Sequence, residues 1–333
     1  MDTAPPAASH IACLVAARNE EDNIDDCLEA LAAQSVALHL VVINDHSSDE
    51  TSRCALNWES RFGDRLSVIE GGPGKARALQ AGLESLVPEV SVVLTCDADC
   101  TPPPDWAESM AAELTSSRLA ALGGCTAIRV DGPSASVEAL DWAILLATAA
   151  ALSDSGRPLT AMGNNMALDR QRLEAVGGFL IGAESVTEDY ILFRELGRDS
   201  PTAVRMERRF LNWTEPLRSL AGLFRQRRRW AIGAADGRAV NVAILIGSTA
   251  AYGLPWVLLW YSPGLAVALI LARWAIQWMI GRGVERRMGI DLPLWWVPVH
   301  DLVLSVYGVL VPLSIPFSRR TRWKGRTLAE GSG

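Results

Sequence analysis

The chain has 333 residues, more than one hydrophobic core normally holds, so at least two structural parts are expected. Almost half of the residues (49%) are hydrophobic and 12 are Trp, which excludes a disordered chain, a collagen-like chain and a small disulfide scaffold. The net charge of −7 conceals a division: residues 1–200 carry 13 basic and 31 acidic side chains (−18), whereas residues 201–333 carry 18 and 7 (+11).

The acidic part shows no sign of export. Its first ten residues are rich in Ala and Pro and lack a basic segment followed by an apolar one, so residues 1–9 are expected to be disordered and the part that follows to be cytosolic. All six cysteines lie in this part, and none forms a C-x-x-C pair; we predict buried, reduced thiols.

From His10 to about Ala203, short apolar runs alternate with helical patterns, which predicts an α/β domain with a mostly parallel sheet. The predicted strands are His10–Ala16, Leu38–Ile43, Leu66–Ile69 and Val90–Thr95, with helices around Ile24–Leu31 and Lys75–Leu86. Polar clusters follow the strands at Asn44–Ser47, Gly71–Gly74 and Asp97–Asp99. Open parallel sheets bind ligands at the carboxyl ends of their strands, so these clusters predict one crevice.

The basic part contains apolar segments long enough to span a membrane. Residues 239–272 carry no charge over 34 positions, and Leu292–Phe317 is a further apolar segment that contains His300 and Asp301. We predict two or three membrane helices or re-entrant segments within residues 239–317. A buried soluble core is the alternative, but the flanking Arg clusters and many Trp residues favour a membrane.

The topology of these segments is less constrained. A hairpin that turns near Pro263 places Arg282, Arg286 and Arg287 on the cytosolic side, as the positive-inside rule prefers. A simple third span would put the basic tail, residues 318–333, outside, and Asp301 within a span costs about 2.5–3.5 kcal/mol. Pro298, Pro312 and Pro316 would allow a broken or re-entrant third segment, which we favour.

Three acidic positions are candidates for chemistry. Asp45 ends the second predicted strand, Asp97 and Asp99 follow the fourth, and Glu188-Asp189 opens a helix. Two carboxylates in a D-x-D turn suit a hard divalent cation that also binds phosphate oxygens. Each position alone is equally well explained as a solvated turn or a helix start.

A basic segment precedes the first apolar run. Gln226-Arg227-Arg228-Arg229-Trp230 lies within residues 214–238, which we predict to form an amphipathic helix at the membrane interface. The simplest explanation is a helix that Trp anchors and anionic lipid headgroups attract. A role in binding a diphosphate is compatible with that explanation.

Taken in order, these motifs resemble those of family 2 glycosyltransferases with a GT-A fold. The resemblance covers residues 10–235 and includes, besides the acidic positions, Ala17–Glu21, Gly74-Lys75, Gly163–Asn165, Gly177–Phe179 and Gln226-x-x-Arg229-Trp230. Trp323-Lys324-Gly325-Arg326 is similar to the branch that glycosylates ceramide, hopanoid or carotenoid-type lipids. The implied catalytic domain is residues 10–213.

The resemblance also implies roles for individual residues. Ala16, Arg18 and Glu20 would lie beside the nucleotide base, Asp45 would hold uracil or ribose, and Lys75 and Asp97 would orient the nucleotide. Asp99, with Asp97, would coordinate Mn²⁺ or Mg²⁺ on the diphosphate. Asp189 would be the general base and Glu188 would shape its site, while Gln226, Arg229 and Trp230 would close over diphosphate and acceptor.

The function that these expectations favour is inverting transfer of a sugar, from a UDP-sugar, to a membrane lipid at the cytosolic face of the cell membrane. One base without an enzyme nucleophile predicts a single displacement. A polysaccharide or cell-wall glycan synthase is the alternative enzyme, although residues 239–317 hold few spans for polymer export. A non-catalytic membrane scaffold is the alternative of another class. No nucleic-acid partner is expected, and the oligomeric state stays open.

Overall fold

The computed structural model describes residues 10–156, 160–217, 219–234, 239–315, 320–323 and 326–329; the side chains of residues 234, 239–242, 244, 245, 320–323 and 326–329 are outside that description. The described chain forms two compact units. Unit 1 contains the residues up to Ala127 together with Thr148–Glu184 and Glu188–Glu215. Unit 2 contains Ile128–Ala147, Ser185–Thr187 and the residues from Pro216 onward.

The described part of the chain up to Glu215 contains nine strands and eight helices. The strands are β1 (Ile11–Ala17), β2 (His39–Asn44), β3 (Leu66–Glu70), β4 (Val92–Cys96), β5 (Ala121–Gly123), β6 (Cys125–Ile128), β7 (Asn165–Asp169), β8 (Thr202–Val204) and β9 (Leu211–Thr214). The helices are α1 (Ile24–Ala32), α2 (Thr51–Leu56), α3 (Glu59–Phe62), α4 (Lys75–Glu84), α5 (Trp106–Ser116), α6 (Pro133–Asp154), α7 (Arg170–Ala175) and α8 (Glu188–Asp199).

Unit 1 is built on a seven-stranded sheet in the order β3-β2-β1-β4-β7-β5-β8. β1 pairs in parallel with β2 and β4, β2 pairs in parallel with β3, and β5 with β8, while β7 is antiparallel to both its neighbours. β6 pairs with β9 in a separate two-stranded sheet. The sheet is therefore mostly parallel, as the alternation of apolar runs and helical patterns predicts.

The central strands are buried on both faces, which explains their continuous apolar sequence. Of the seven residues of β1, six are fully buried, and all five of β4 are. α1 buries the predicted stripe, namely Ile24, Cys27, Leu28 and Leu31. The four predicted strands agree with β1–β4 to within two residues at each end.

The cysteines are free thiols, as predicted. Cys13, Cys27, Cys96, Cys100 and Cys125 are buried, whereas Cys54 is partly exposed. Burial raises the pKa of the Cys125 thiol to about 12, since the interior disfavours a thiolate.

Unit 2 consists mainly of helices. Besides the first part of α6 it contains α9 (Leu220–Ala234), α10 (Ala239–Leu258), α11 (Pro263–Met288) and α12 (Val297–Ser314), the last preceded by a 3₁₀ turn. β10 (Arg320–Trp323) and β11 (Arg326–Ala329) form an antiparallel pair. α10 and α11 are separated by residues 259–262, so the chain turns where the sequence predicts a hairpin.

Three described helices are long and apolar enough to cross a membrane, namely Pro133–Asp154, Pro263–Met288 and Leu294–Ser314. Only 17% of the apolar window of α11 is buried within the protein, so most of its apolar surface is exposed. The corresponding window of α6 is 61% buried, which is what a helix of the protein interior shows. The sequence patterns did not predict α6 as such a helix.

The third apolar segment is not broken at its prolines between Val297 and Ser314. Pro298 lies in the first turn of α12, where a missing N–H disrupts no helical hydrogen bond, and Pro312 lies in the last. Pro316 lies outside the described residues. How these helices cross a membrane stays a prediction.

Asp301 is not left unpaired inside this apolar segment. It is 2% exposed, and its carboxylate accepts hydrogen bonds from Arg273 Nη2 (2.8 Å) and Gln277 Nε2 (2.7 Å), both on α11. Pairing of this kind is how ionisable groups are tolerated among membrane helices. Residues 1–9, Arg238, half of the residues of the basic tail and all of that tail's side chains, including those of the Trp323–Arg326 motif, lie outside the described part of the chain.

Candidate active site

The carboxyl ends of three parallel strands bring the predicted polar clusters of unit 1 to one edge of the sheet. β1, β2 and β4 run in the same direction, so Arg18, Asp45 and Asp97, which directly follow them, share that edge. The antiparallel β7 starts there, because Asn165 is paired with Cys96 at the end of β4. Such an edge is the usual ligand crevice of an open α/β sheet.

The loops that follow β1 and β2 are bonded to each other. Arg18 Nη1 donates to the carbonyls of Asp45 (2.8 Å) and His46 (3.2 Å), and the Asn19 amide donates to Ser47 Oγ (3.1 Å). Asn19 and His46 both adopt positive φ, at 52° and 53°. Arg18 therefore shapes this loop pair, and its guanidinium lies beside Asp45, where the resemblance places a nucleotide base.

Glu20 and Ala16 lie near this loop pair, and both are held in place by neighbouring parts of unit 1. Glu20 is 8% exposed; its amide donates to Thr51 Oγ1 (2.8 Å) and its carboxylate accepts from Asn23 Nδ2 (2.8 Å) at the start of α1. Ala16 is the penultimate residue of β1 and is in register with Ile43. These contacts organise the first loop, and a direct contact with a base stays a prediction for both residues.

Asp45 is almost completely buried and is held by a glycine loop. It is 2% exposed, and both its carboxylate oxygens accept from the Gly74 amide, at 3.1 and 3.2 Å. A Cβ at Gly72 would lie 2.2 Å from Asp45 Oδ1. The sequence places Gly71–Gly74 after a strand and Gly74-Lys75 in a family motif, whereas the close fit of Gly72 against Asp45 is visible only in the structure, although paired glycines at a strand end do signal a close backbone approach.

Lys75 forms an ion pair with Asp97. Lys75 Nζ lies 2.5 Å from Asp97 Oδ1, and the two side chains are 19% and 33% exposed. Burial alone would lower the pKa of Lys75, but the charges of Asp97 and then of Glu188 and Asp189 raise it above its ordinary value. Lys75 therefore stays positively charged. Four of the predicted site residues thus interact electrostatically at this edge, namely Lys75, Asp97, Glu188 and Asp189.

Asp99 completes the D-A-D loop. Its Oδ1 accepts a weak hydrogen bond from Cys100 Sγ at 3.5 Å. Among the described residues no group of three or more His, Cys, Asp or Glu side chains could hold a metal ion. Two carboxylates provide hard oxygen donors for Mn²⁺ or Mg²⁺ without a complete cage, which fits a cation that shares its coordination with phosphate oxygens and water.

Glu188 and Asp189 begin α8, and backbone groups orient Asp189. Its Oδ2 accepts from the Gly163 amide (3.0 Å) and its Oδ1 from the Tyr190 amide (2.8 Å). A Cβ at Gly163 would lie 3.0 Å from Asp189 Cβ, so glycine permits this approach. Each oxygen keeps a further lone pair, so the carboxylate is fixed in direction and still able to accept a proton.

The other three predicted site residues lie in unit 2, on α9. Arg229 Nη1 donates to the Val186 carbonyl (2.9 Å), Gln226 Oε1 accepts from Arg227 Nη1 (2.9 Å), and the Trp230 ring packs edge-on against Trp142 of α6. Arg227 is only 9% exposed, so it is not available to lipid headgroups as the interfacial-helix interpretation expects of these arginines.

The structure thus places nine of the predicted residues in unit 1 and brings Arg18 to Asp45 and Lys75 to Asp97, Glu188 and Asp189; the nine are Ala16, Arg18, Glu20, Asp45, Lys75, Asp97, Asp99, Glu188 and Asp189. Gln226, Arg229 and Trp230 belong to the other unit. The sequence placed Gly71–Gly74 and Gly163 in motifs but did not predict that they pack against Asp45 and Asp189, and it gave no signal for the α6 residues that contact α9.

Known proteins resemble this chain over the same region. A family model described as "Glycosyltransferase like family 2" matches residues 6–233. The poly-beta-1,6-N-acetyl-D-glucosamine synthase of Staphylococcus epidermidis is 26% identical over 227 residues, which are 67% of this chain and 54% of that protein. The chain therefore spans about half the length of the curated relatives it matches.

A solved structure shares the fold. The mannosyltransferase PcManGT from Pyrobaculum calidifontis, in complex with GDP-Man and Mn²⁺, matches with a TM-score of 0.58 at 20% identity, covering 94% of this chain and 90% of that one. Together with the mostly parallel sheet, these matches confirm the predicted GT-A fold class followed by apolar helices.

Proposed function

The chain belongs to glycosyltransferase-like family 2, and on that premise we propose that it transfers a sugar from a UDP-sugar to a hydroxyl group of a membrane lipid, with inversion. The observation that carries the proposal is the charge arrangement at the sheet edge, where Lys75, Asp97, Glu188 and Asp189 interact beside the buried Asp45. A cation next to several carboxylates suits a metal-bound diphosphate and a basic group.

The surroundings of each residue of unit 1 indicate the role that we propose for it. The buried Asp45 would accept hydrogen bonds from the uracil or ribose, with Arg18 defining the loop beside it. Lys75 would neutralise charge on the leaving diphosphate and hold Asp97 in place. Asp97 and Asp99 would hold Mn²⁺ or Mg²⁺, which supplies positive charge to the diphosphate oxygens when bound.

Asp189 is the proposed general base. An alcohol is a poor nucleophile, so a carboxylate within hydrogen-bond reach must take its proton as the oxygen attacks the anomeric carbon. The Gly163 and Tyr190 amides fix the direction of Asp189, and Glu188 would shape the same site. No enzyme nucleophile is needed, so one displacement with inversion follows. Gln226, Arg229 and Trp230 remain the proposed contacts for the diphosphate and acceptor.

The lipid acceptor and membrane location are proposed from the apolar helices. α11 exposes most of its apolar surface, and Arg282, Arg286 and Arg287 follow that surface at its end. A protein anchored in this way has its acceptors in the plane of the membrane. We propose the cytosolic face of the cell membrane, as the basic clusters favour.

One experiment names donor and acceptor together. Membranes that contain the protein are incubated with labelled UDP-sugars, with GDP-mannose included because PcManGT was solved with GDP-Man, and the lipid extract is analysed by mass spectrometry. We expect a lipid that carries one sugar, or a few. Absence of transfer from every donor tested, to lipid or glycan, would refute the proposal and favour the scaffold alternative.

The Asp189→Asn variant tests the base. We expect kcat to fall at least about a hundredfold, because general base catalysis contributes roughly 10²–10⁴. Asp199→Asn, an exposed position at the end of the same helix, is the matched control and should retain wild-type activity. Transfer unaffected by Asp189→Asn would remove Asp189 from the mechanism.

A polysaccharide synthase is the second candidate, supported by the resemblance to the poly-beta-1,6-N-acetyl-D-glucosamine synthase of S. epidermidis. Product length distinguishes the two functions, because a synthase of this kind makes a ladder or a polymer. A single-sugar lipid supports the first proposal and a polymer the second.

A further inference from the structure

Three consecutive arginines of α9 are held by three different partners in unit 2. Arg227 is paired with the carboxylate of Asp141 on α6, Arg228 Nε donates to Ser314 Oγ at the end of α12 (3.1 Å), and Arg229 Nη1 donates to the Val186 carbonyl (2.9 Å). Partners on separate elements define the rotation of α9 about its own axis. The helix that carries the Q-x-x-R-W motif therefore has a set orientation within its unit.

Arg227 contacts two members of that motif directly. Its Nη1 donates to Gln226 Oε1 (2.9 Å), and its guanidinium lies 4.2 Å from the centre of the Trp230 ring. A guanidinium at that distance from an aromatic ring makes a favourable cation–π contact. The orientation of Gln226 and Trp230 thus depends on where Arg227 is held.

One face of α6 supports this arrangement. Glu138 Oε2 accepts a hydrogen bond from the Leu217 amide just before α9 (2.7 Å). The Asp141 carboxylate accepts a hydrogen bond from Arg227, and the centre of the Trp142 ring lies 5.6 Å from that of Trp230. Residues three and four apart lie on the same side of a helix, so these contacts form one continuous surface. Asp141 is its charged centre, with a side chain 12% exposed.

Behind Asp141 lies a second polar group, His300 of α12. His300 is 0% exposed; its Nε2 lies 3.9 Å from Asp141 Oδ1, and its Nδ1 is bonded to Gln277 Oε1 at 2.7 Å. Gln277 in turn bonds Asp301, which pairs with Arg273. Among its described residues unit 2 therefore contains two buried Asp–Arg pairs, of which the Asp141–Arg227 pair includes a residue of α9 and the Asp301–Arg273 pair does not.

We propose that Asp141 is a positioning residue for sugar transfer: it holds Arg227, and through Arg227 it orients Gln226 and Trp230 toward the diphosphate and the acceptor. The inference rests on the proposed function, in which those two residues contact the reacting groups. Asp141 itself touches neither substrate and acts only through Arg227.

The second buried pair provides a matched control. Asp141→Asn and Asp301→Asn each remove one carboxylate charge from a buried Asp–Arg pair, so both should lower the thermal midpoint of the full-length protein in nanodiscs. Only Asp141→Asn should lower kcat, by about ten- to hundredfold, since small misplacements of orienting groups have effects of that size. The KM for the donor should change less than about threefold, because the proposed nucleotide contacts of unit 1 are untouched.

A double variant distinguishes positioning from simple destabilisation. Asp141→Asn combined with Arg227→Gln removes the unpaired buried charge that the single variant leaves, so the thermal midpoint should recover. The contacts of Arg227 with Gln226 and Trp230 are still lost, so kcat should stay low. Recovery of kcat together with the thermal midpoint would overturn the proposal. Asp141→Glu, which keeps the charge, should retain most of the activity.

Hydrogen exchange separates failure of this inference from failure of the proposed function. Peptides covering residues 220–234 should exchange faster in Asp141→Asn than in wild type, and should be unchanged in Asp301→Asn. Unchanged exchange in α9, or a wild-type kcat in Asp141→Asn of an active protein, overturns the inference alone. A wild-type protein that transfers no sugar refutes the proposed function and with it the role assigned here.

Discussion

Two glycines of one loop provide a matched test of how Asp45 is held. Gly72 and Gly74 both have φ of +104°, but a Cβ at Gly72 would lie 2.2 Å from Asp45 Oδ1, whereas a Cβ at Gly74 would meet nothing within 4 Å. Substitution by Ala therefore strains the backbone at both positions. Only at Gly72 does it also displace the Asp45 carboxylate.

The difference between the two variants follows from these contacts. A non-glycine residue in such a backbone conformation costs about 1–3 kcal/mol, which applies to both variants. Overpacking against a buried group adds about 1–3 kcal/mol, which applies to Gly72→Ala alone. The displaced carboxylate also loses its hydrogen bonds from the Gly74 amide, so its contact with the nucleotide should weaken as well.

The assay is UDP binding by calorimetry on the solubilised protein, together with its thermal midpoint. We expect Gly72→Ala to bind UDP about ten- to hundredfold more weakly than Gly74→Ala, which corresponds to about 1.4–2.8 kcal/mol. The thermal midpoints should rank wild type, Gly74→Ala and Gly72→Ala in descending order. Ranks are compared because a chain of two units need not unfold in one step.

A second background isolates the role of Asp45. In an Asp45→Ala protein the carboxylate is absent, so adding Gly72→Ala should cost only the backbone strain, and the two changes should be non-additive. Equal losses in Gly72→Ala and Gly74→Ala, or additive effects in the double variant, would refute the reasoning that the glycine makes room for Asp45.

Three further outcomes are expected. The carboxylate neighbours of Lys75 raise its pKa, so its ion-pair stabilisation is complete below its unfolded pKa of about 10.4 and is lost only as pH rises through the still higher folded value; UDP affinity should therefore not fall between pH 7.5 and 9.5 in a calorimetric titration. Thr51→Val keeps the shape of a fully buried side chain but leaves the Glu20 amide without its acceptor, a loss of about 1–3 kcal/mol, so the thermal midpoint should fall below that of wild type. Brief iodoacetamide treatment of the native protein should label Cys54 and spare the five buried cysteines; equal labelling, detected by peptide mass spectrometry, would contradict their burial.

Local patterns were sufficient to predict the sheet and most of the acidic edge. The apolar runs of β1, β2 and β4 end at Ala17, Asn44 and Cys96, and the carboxyl ends of parallel strands must share an edge. That rule alone placed Asp45 and Asp97 together. The rule also placed Gly74 at this edge, because Gly74 lies in the connection between the end of the parallel strand β3 and the start of α4.

The helix α6 could not be predicted in the same way. Glu138 and Asp141 interrupt its apolar sequence, and Trp142 follows them, so the pattern does not match a surface helix, although the helix is long and apolar enough to cross a membrane. Those three residues are polar or aromatic because each has a partner elsewhere in unit 2, at Leu217, Arg227 and Trp230. A contact with a residue far away in the sequence produces no local sequence pattern from which it could be predicted.

The basic segment of α9 also shows that the sequence predicts a helix but not the contacts of its side chains. Its sequence predicts a helix with a positive face, and the helix is present. Whether each arginine meets lipid, a ligand or a carboxylate depends on what packs against that turn. Arg227 is buried against Asp141, whereas its neighbours bond to a hydroxyl and a carbonyl.

The sequence by itself determined the family, the mostly parallel sheet, the acidic edge and the presence of long apolar helices, because periodicity, strand-end chemistry and motif order are local properties. Only the tertiary structure decided which groups hold these residues in place, as Gly72 and Gly74 do for Asp45, Gly163 for Asp189, and Asp141 for Arg227. The physical reason is that these contacts join positions 26 to 86 residues apart, and their strength comes from burial and short distances that only packing creates.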